Sequence, residues 1–180
     1  LTKEKNVDFL IRSYAQIQSQ FPQTVLVIVA SGPEEDNLKS LTEHLALKDK
    51  VIFTGKLTGP ELVNAYHGAD MFVFPSVTET QGLVIVEAMA AGLPVVAIDA
   101  NGVADMVSSG AEGILTQYTL EAFTNGVCEL LGDEPKRKSM AKTAQQRAIE
   151  LSSTRMALRL EAAYHEVLQN RWGAARRITG

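Results

Sequence analysis

Residues 71–98 read MFVFPSVTETQGLVIVEAMAAGLPVVAI. The stretch opens on Met71, Phe72, Val73 and Phe74 and is broken at Pro75-Ser76, and a short apolar run bounded by turn residues is a strand signal. Residues 82–91 form a run too long for such a strand, stopped by Gly92 and then Pro94, the usual end of a helix. Val95, Val96, Ala97 and Ile98 are short and rich in β-branched residues, so a second strand follows. Strand, helix and strand in so short a span predict a right-handed crossover between parallel strands.

The same alternation extends both ways. Upstream, residues 24–30 (TVLVIVA) run without polar interruption, which predicts a parallel strand covered on both faces. Residues 51–53 read as a short strand stopped at Gly55. Val7, Leu10, Ile11, Tyr14 and Ile17 fall at helical spacing, with Asn6 as a candidate N-cap and Pro22 past the end. Ser31-Gly32-Pro33 turns into a helix carrying Leu38, Leu41 and Leu45 on one face, and Thr58 with Glu61 forms a candidate capping box for a helix ending at His67. Downstream, Asn101-Gly102 marks a turn before a weak helix over residues 103–108, and residues 113–116 read as a last strand. Helices are then predicted over residues 120–131, 135–151 and 153–169.

The predicted fold class is α/β, a Rossmann-like parallel sheet with helices on both faces and a helical C-terminal segment. With 180 residues, 46% of them apolar, a single domain spanning residues 1–180 with one core is expected. Parallel α/β domains usually begin on a strand, whereas Leu1 leads into a helix, so a first strand is expected just upstream and the chain reads as a fragment. The net charge of −4 gives no global attraction for nucleic acid. Apolar runs fall well short of a membrane span, and a cytoplasmic protein is expected. Cys128 has no second cysteine to pair with and reads as a buried, inert thiol. His44, His67 and His165 are isolated, and no sequence pattern of metal-ligand spacing occurs.

In sheets of this kind ligands bind beyond the carboxyl ends of the strands. The candidate loops are residues 1–6, 31–35, 54–58 and 75–82. The last combines small residues, a carboxylate and a helix start, whose unsatisfied backbone N–H groups attract an anion such as phosphate. Glu79 and Glu87 stand at its two ends and can accept hydrogen bonds from hydroxyl groups. Taken alone, Glu79 also reads as a solvated loop charge. Glu87 lies in a helix apolar nearly all round, which predicts burial and a polar contact, made either to a ligand or within the fold.

Phe74-Pro75-Ser76, Glu79, Gly82-Leu83, Glu87-Ala88-Met89-Ala90, Gly92 and Pro94-Val95-Val96 resemble, in order and spacing, the signature of the retaining glycosyltransferase family 4 group, also called group 1. Residues 1–6, Ser31-Gly32-Pro33-Glu34, residues 51–55 and Ala69-Asp70 resemble further blocks, so the likeness covers most of residues 1–116. It implies the C-terminal, donor-binding half of a two-domain GT-B enzyme. Glu79, the implied catalytic-site carboxylate, would hold sugar hydroxyls of the donor. Amides near Gly82, Leu83 and Val84 would receive the diphosphate, and Glu87 would bind the ribose 2′ and 3′ hydroxyls. Lys5 matches the family lysine that offsets diphosphate charge, while its companion arginine would fall before Leu1. Thr54, Gly55, Lys56 and Leu57 would contact the base, largely through backbone groups.

The implied reaction transfers a sugar from a nucleotide-diphosphate donor, UDP-linked by preference, to an acceptor hydroxyl with retained anomeric configuration. It needs no metal or cofactor and no protein nucleophile. Acceptor-binding residues would belong to an N-terminal domain, so the isolated fragment should bind donor weakly and catalyse little. Many members carry Glu-Gly-Phe-Gly where this chain has Glu79-Thr80-Gln81-Gly82. The latter is similar to bacterial enzymes that glucosylate diacylglycerol, which places a lipid acceptor beside soluble carbohydrates and small alcohols. Residues 170–177 join arginines to Trp172, a composition that suits peripheral contact with an anionic membrane or a segment crossing back to the other domain. Two other readings stand beside transfer: a non-catalytic α/β nucleotide-binding or regulatory module whose glutamates serve local structure, and a GT-B nucleotide-sugar epimerase.

Overall fold

The structure, a computed structural model, describes residues 1–78, 82–100 and 102–178, with side chains described up to residue 168. A 3₁₀ turn, Lys3–Lys5, leads into α1 (Val7–Gln20), β1 (Leu26–Ile28), α2 (Glu35–His44), β2 (Val51–Phe53), α3 (Gly59–His67), β3 (Phe72–Phe74), α4 (Leu83–Ala90) and β4 (Val95–Ile98). Then follow β5 (Gly113–Thr116), α5 (Leu120–Gly132), α6 (Glu134–Glu150) and α7 (Ser153–Ile178). All pairings are parallel, β1 with β2 in one sheet and β3-β4-β5 in another.

The layering can be read from β4, all four of whose residues are buried. Val96 and Ile98 join Leu10, Ile17, Phe123 and Leu130 from α1 and α5, whereas Val95 and Ala97 join Ile85, Met89, Ala144 and Ala148 from α4 and α6. Alternate side chains of a strand point to opposite faces, so helices cover this sheet on both sides. Two apolar clusters therefore replace the single core expected from the sequence, because the sheet itself separates them.

The other sheet differs. Leu26, Ile28 and Val51 pack in the same cluster as Val96, but Val25 and Val27 are each 49% exposed and Ile52 is 50% exposed. The strand is also shorter than residues 24–30. Thus β1 is covered on one face, not two, and α3, which follows β2, buries none of its residues. An uninterrupted apolar run reports what a strand is able to bury; coverage depends on what packs over it.

Local differences have local causes. Thr58 occupies the N-cap of α3 without a side-chain capping bond, so the capping box does not form. Thr119 and Asp133 do cap α5 and α6, accepting from the Ala122 and Lys136 amides at 3.1 and 2.8 Å. Residues 102–106 make successive turns in place of the helix expected over 103–108, and the buried Val103 and Val107 pin the segment. α7 runs on to Ile178, past the end expected near residue 169. Among the described residues no helix is long and apolar enough to cross a membrane.

Candidate functional site

The site is built around residues 1–6, which cross the carboxyl ends of several strands. At one end, the Leu1 nitrogen donates to the Ser31 carbonyl, just beyond β1, and the Glu34 amide donates to the Leu1 carbonyl at 3.1 Å. At the other end stands Asn6, with φ 56° and 9% exposure. It was read as an N-cap, and it holds that position, yet its side chain makes no capping bond. Its Nδ2 donates instead to the Pro75 carbonyl at 3.0 Å, while its Oδ1 accepts from the Tyr118 hydroxyl at 3.2 Å. Asparagine is among the few residues besides glycine that tolerate the left-handed region. Here it also ties the loops after β3 and β5 to the segment that carries Lys5. The exposed Lys5 is thereby held next to the loop leading into α4.

α4 begins at Gly82, whose φ of 60° again lies in the left-handed region. A Cβ at Gly82 would come within 3.1 Å of Met106 Cγ, so both conformation and space favour glycine. The first amide to enter the helical ladder is that of Ile85, which donates to the Gly82 carbonyl at 2.9 Å. The Leu83 and Val84 amides precede it, at the positive end of the helix dipole. Leu83 is 62% and Val84 39% exposed, and Glu87 is exposed on the same side. Burial of Glu87 was expected; the structure overturns that. Ile85, Ala88 and Met89 are buried and Val86 packs partly against the same cluster, because α4 packs on one side, against β3, β4 and α6. The other side presents an apolar first turn followed, one turn on, by a carboxylate.

Glu87 has a partner that the sequence reading did not single out. The Tyr66 hydroxyl, on α3, donates to Glu87 Oε2 at 3.1 Å. Burial, followed by the Glu87 charge and this hydrogen bond, pushes the Tyr66 phenol above its ordinary range, so it remains a donor throughout neutral pH. Its ring leans on Phe72, centroids 6.1 Å apart, and Phe72 stacks on Phe74 at 5.9 Å. Spacing gives no warning of this pair, since the partners belong to different helices. The same holds for Tyr118, whose partner Asn6 lies 112 residues away.

Thr54, Gly55, Lys56 and Leu57 lie at the carboxyl end of β2. Thr54 donates its amide to the Ile28 carbonyl at 3.1 Å and its hydroxyl to the Gly55 carbonyl at 3.0 Å. Gly55 has φ 73° with open space where a Cβ would stand. This loop connects to the α4 side through α3 and Tyr66. Glu79 lies outside the described residues, as do Thr80 and Gln81. Cys128 is half-buried, and burial pushes its thiol up. Among the described residues no group of three or more His, Cys, Asp or Glu side chains gathers as metal ligands would. A groove of about 680 Å³ between α1 and α2 is lined by Arg12 and His44 and by Thr2, Lys3 and Glu34 of the first two candidate loops, but not by Lys5, residues 54–57, residues 82–84 or Glu87.

A helix start facing the carboxyl edge of a parallel sheet, with a carboxylate one turn further on, is the arrangement found where the family model for "Glycosyl transferases group 1" matches this chain, over residues 1–147. The chain belongs to that family. Proteins similar to it include the Arabidopsis thaliana sulfoquinovosyl transferase SQD2, 33% identical over 79% of this chain and 27% of the relative. The solved structure of Anabaena HepE in complex with UDP and glucose is 29% identical, with a TM-score of 0.77 over 94% of this chain and 46% of that one. The C-terminal domain of the Francisella tularensis group 1 protein LpcC superposes with a TM-score of 0.74 over 83% of this chain and 80% of that domain. At 22% identity this last likeness speaks to fold alone. This chain spans less than half the length of the first curated relatives that it matches. Its fold is that of one Rossmann-like half of a GT-B glycosyltransferase.

Proposed function

We propose that this chain is the donor-binding half of a retaining hexosyltransferase that uses a UDP-linked sugar. The carrying observation is the exposed face of α4, where the helix start and the Glu87 carboxylate stand side by side above the sheet's carboxyl edge. Phosphate oxygens suit the first-turn amides near Gly82, Leu83 and Val84, and the Lys5 charge stands in the neighbouring loop. Glu87, an acceptor-only group when ionised, suits the vicinal hydroxyls of a ribose. Residues 54–57 would meet the base, and Glu79 the transferring sugar. The UDP bound by Anabaena HepE supports uridine as the nucleoside.

In the reaction, the bond from the anomeric carbon to the diphosphate oxygen breaks. The acceptor oxygen bonds to that carbon on the same face, and its proton passes to the departing diphosphate. Positive charge from Lys5 and the α4 dipole would stabilise the negative charge that grows on the diphosphate, and catalysis of this type is largely electrostatic. No metal or cofactor enters this scheme. We further propose a strand upstream of Leu1, alongside β1, and an N-terminal domain that binds the acceptor. Similarity of Glu79-Thr80-Gln81-Gly82 to diacylglycerol-glucosylating enzymes supports a glycolipid precursor as acceptor. The full-length protein, incubated with an α-linked UDP-sugar and diacylglycerol, should yield an α-linked product by proton NMR coupling. A β-linked product would contradict retention, and transfer only to soluble sugars would contradict the lipid acceptor.

A further inference from the structure

Glu87 is an exposed glutamate on a helix surface, and such a side chain ordinarily samples several rotamers. Recognising two adjacent hydroxyls requires it to hold one, since each hydrogen bond must otherwise offset the entropy of ordering the carboxylate. The structure supplies a restraint from another element. Tyr66 crosses from α3 and donates to Oε2 at 3.1 Å, which leaves Oε1 and the remaining lone pair of Oε2 for other donors. The tyrosine is itself braced, its ring against Phe72, and Phe72 against Phe74 of β3, the strand that leads into the donor loop.

We propose that Tyr66 is a positioning residue whose hydroxyl orients the Glu87 carboxylate toward the ribose 2′ and 3′ hydroxyls. Ribose recognition is then a joint property of α3 and α4. Because α3 directly follows residues 54–57, the element proposed to meet the base also sets the group that meets the ribose. This rests on the assignment of Glu87 to the ribose made above. The elevated ionisation range of the Tyr66 phenol agrees with it, since the donor proton stays in place at working pH. A purely structural clamp between α3 and α4 would leave nucleotide affinity indifferent to the sugar's hydroxyls.

The two roles separate in a ratio. In the full-length protein, dissociation constants for UDP and 2′,3′-dideoxy-UDP are measured by calorimetry for wild type, Tyr66→Phe and Glu87→Ala. Phe keeps the ring against Phe72 and removes only the hydroxyl. The ratio compares two ligands on one variant, so partial unfolding cancels from it. Wild type should prefer UDP and Glu87→Ala should lose that preference. Tyr66→Phe should weaken UDP about 3- to 10-fold, the net worth of one ordinary hydrogen bond, while leaving the dideoxy ligand unchanged. A wild-type ratio in Tyr66→Phe, or equal weakening of both ligands, overturns the role of Tyr66 while the Glu87 assignment stands. A wild-type ratio in Glu87→Ala overturns that assignment and the present inference with it.

Discussion

Asn6 shows how much one residue can organise. Its backbone takes a left-handed conformation that glycine would also supply, but its amide group joins three loops through Pro75 and Tyr118. Asn6→Gly keeps the conformation and removes the side chain, so it isolates those bonds. Leaving the buried Pro75 carbonyl without its donor costs about 1–3 kcal/mol, and the loss should appear as a lower urea midpoint with an unchanged slope. Weaker UDP binding should accompany it, because the Lys5 segment and the α4 loop are no longer tied. Gly82 was legible in the sequence as a glycine before a helix, and Glu87 as a carboxylate with a polar contact, although the burial predicted for it does not occur. Asn6 was legible by position only, since its capping place was visible but its partners lie 69 and 112 residues away. Tyr66 was not legible at all, because its meaning depends on a partner on another helix.

Among the elements, β4 behaved as its composition promised. Its β-branched run is buried on both faces, with α1 and α5 on one side and α4 and α6 on the other. β1 carries an equally apolar run and is covered on one side only, and no local feature separates the two cases; the difference lies in which helices pack over each strand. Residues 103–108 failed as a helix because Val103 and Val107 are drawn into the core by turns that their spacing mimics. The β4–β5 pair makes a sharper test of the layering. Gly113 opposes Val95 in the register, and a Cβ built on it would run into the Val95 carbonyl oxygen. Gly113→Ala must therefore displace β5, and amide exchange at Ile114 and Thr116, whose amides face β4 in the parallel ladder, should accelerate along with a drop in melting temperature. Unchanged exchange would mean that the register is wrong.

Across the whole molecule, residues 1–6 gather the loops following β1, β3 and β5 at the sheet's carboxyl edge, and α4 opens onto the same region. α/β class, strand order of appearance and helical C-terminal segment were all readable from periodicity and stop signals. Separation into two sheets was not, since hydrogen bonding between strands far apart in sequence leaves no periodic trace. The solvent exposure of Leu83 and Val84 is what the proposed donor face requires, and a helix buried all round would not show it. The central claim is that this face binds a nucleoside diphosphate through the α4 start and Glu87. Titrating UDP into the full-length protein tests it most directly. Saturable binding with a raised melting temperature is expected, weakened about 10-fold or more in Glu87→Ala. Absence of any response at millimolar UDP, or an affinity untouched by Glu87→Ala, would contradict it.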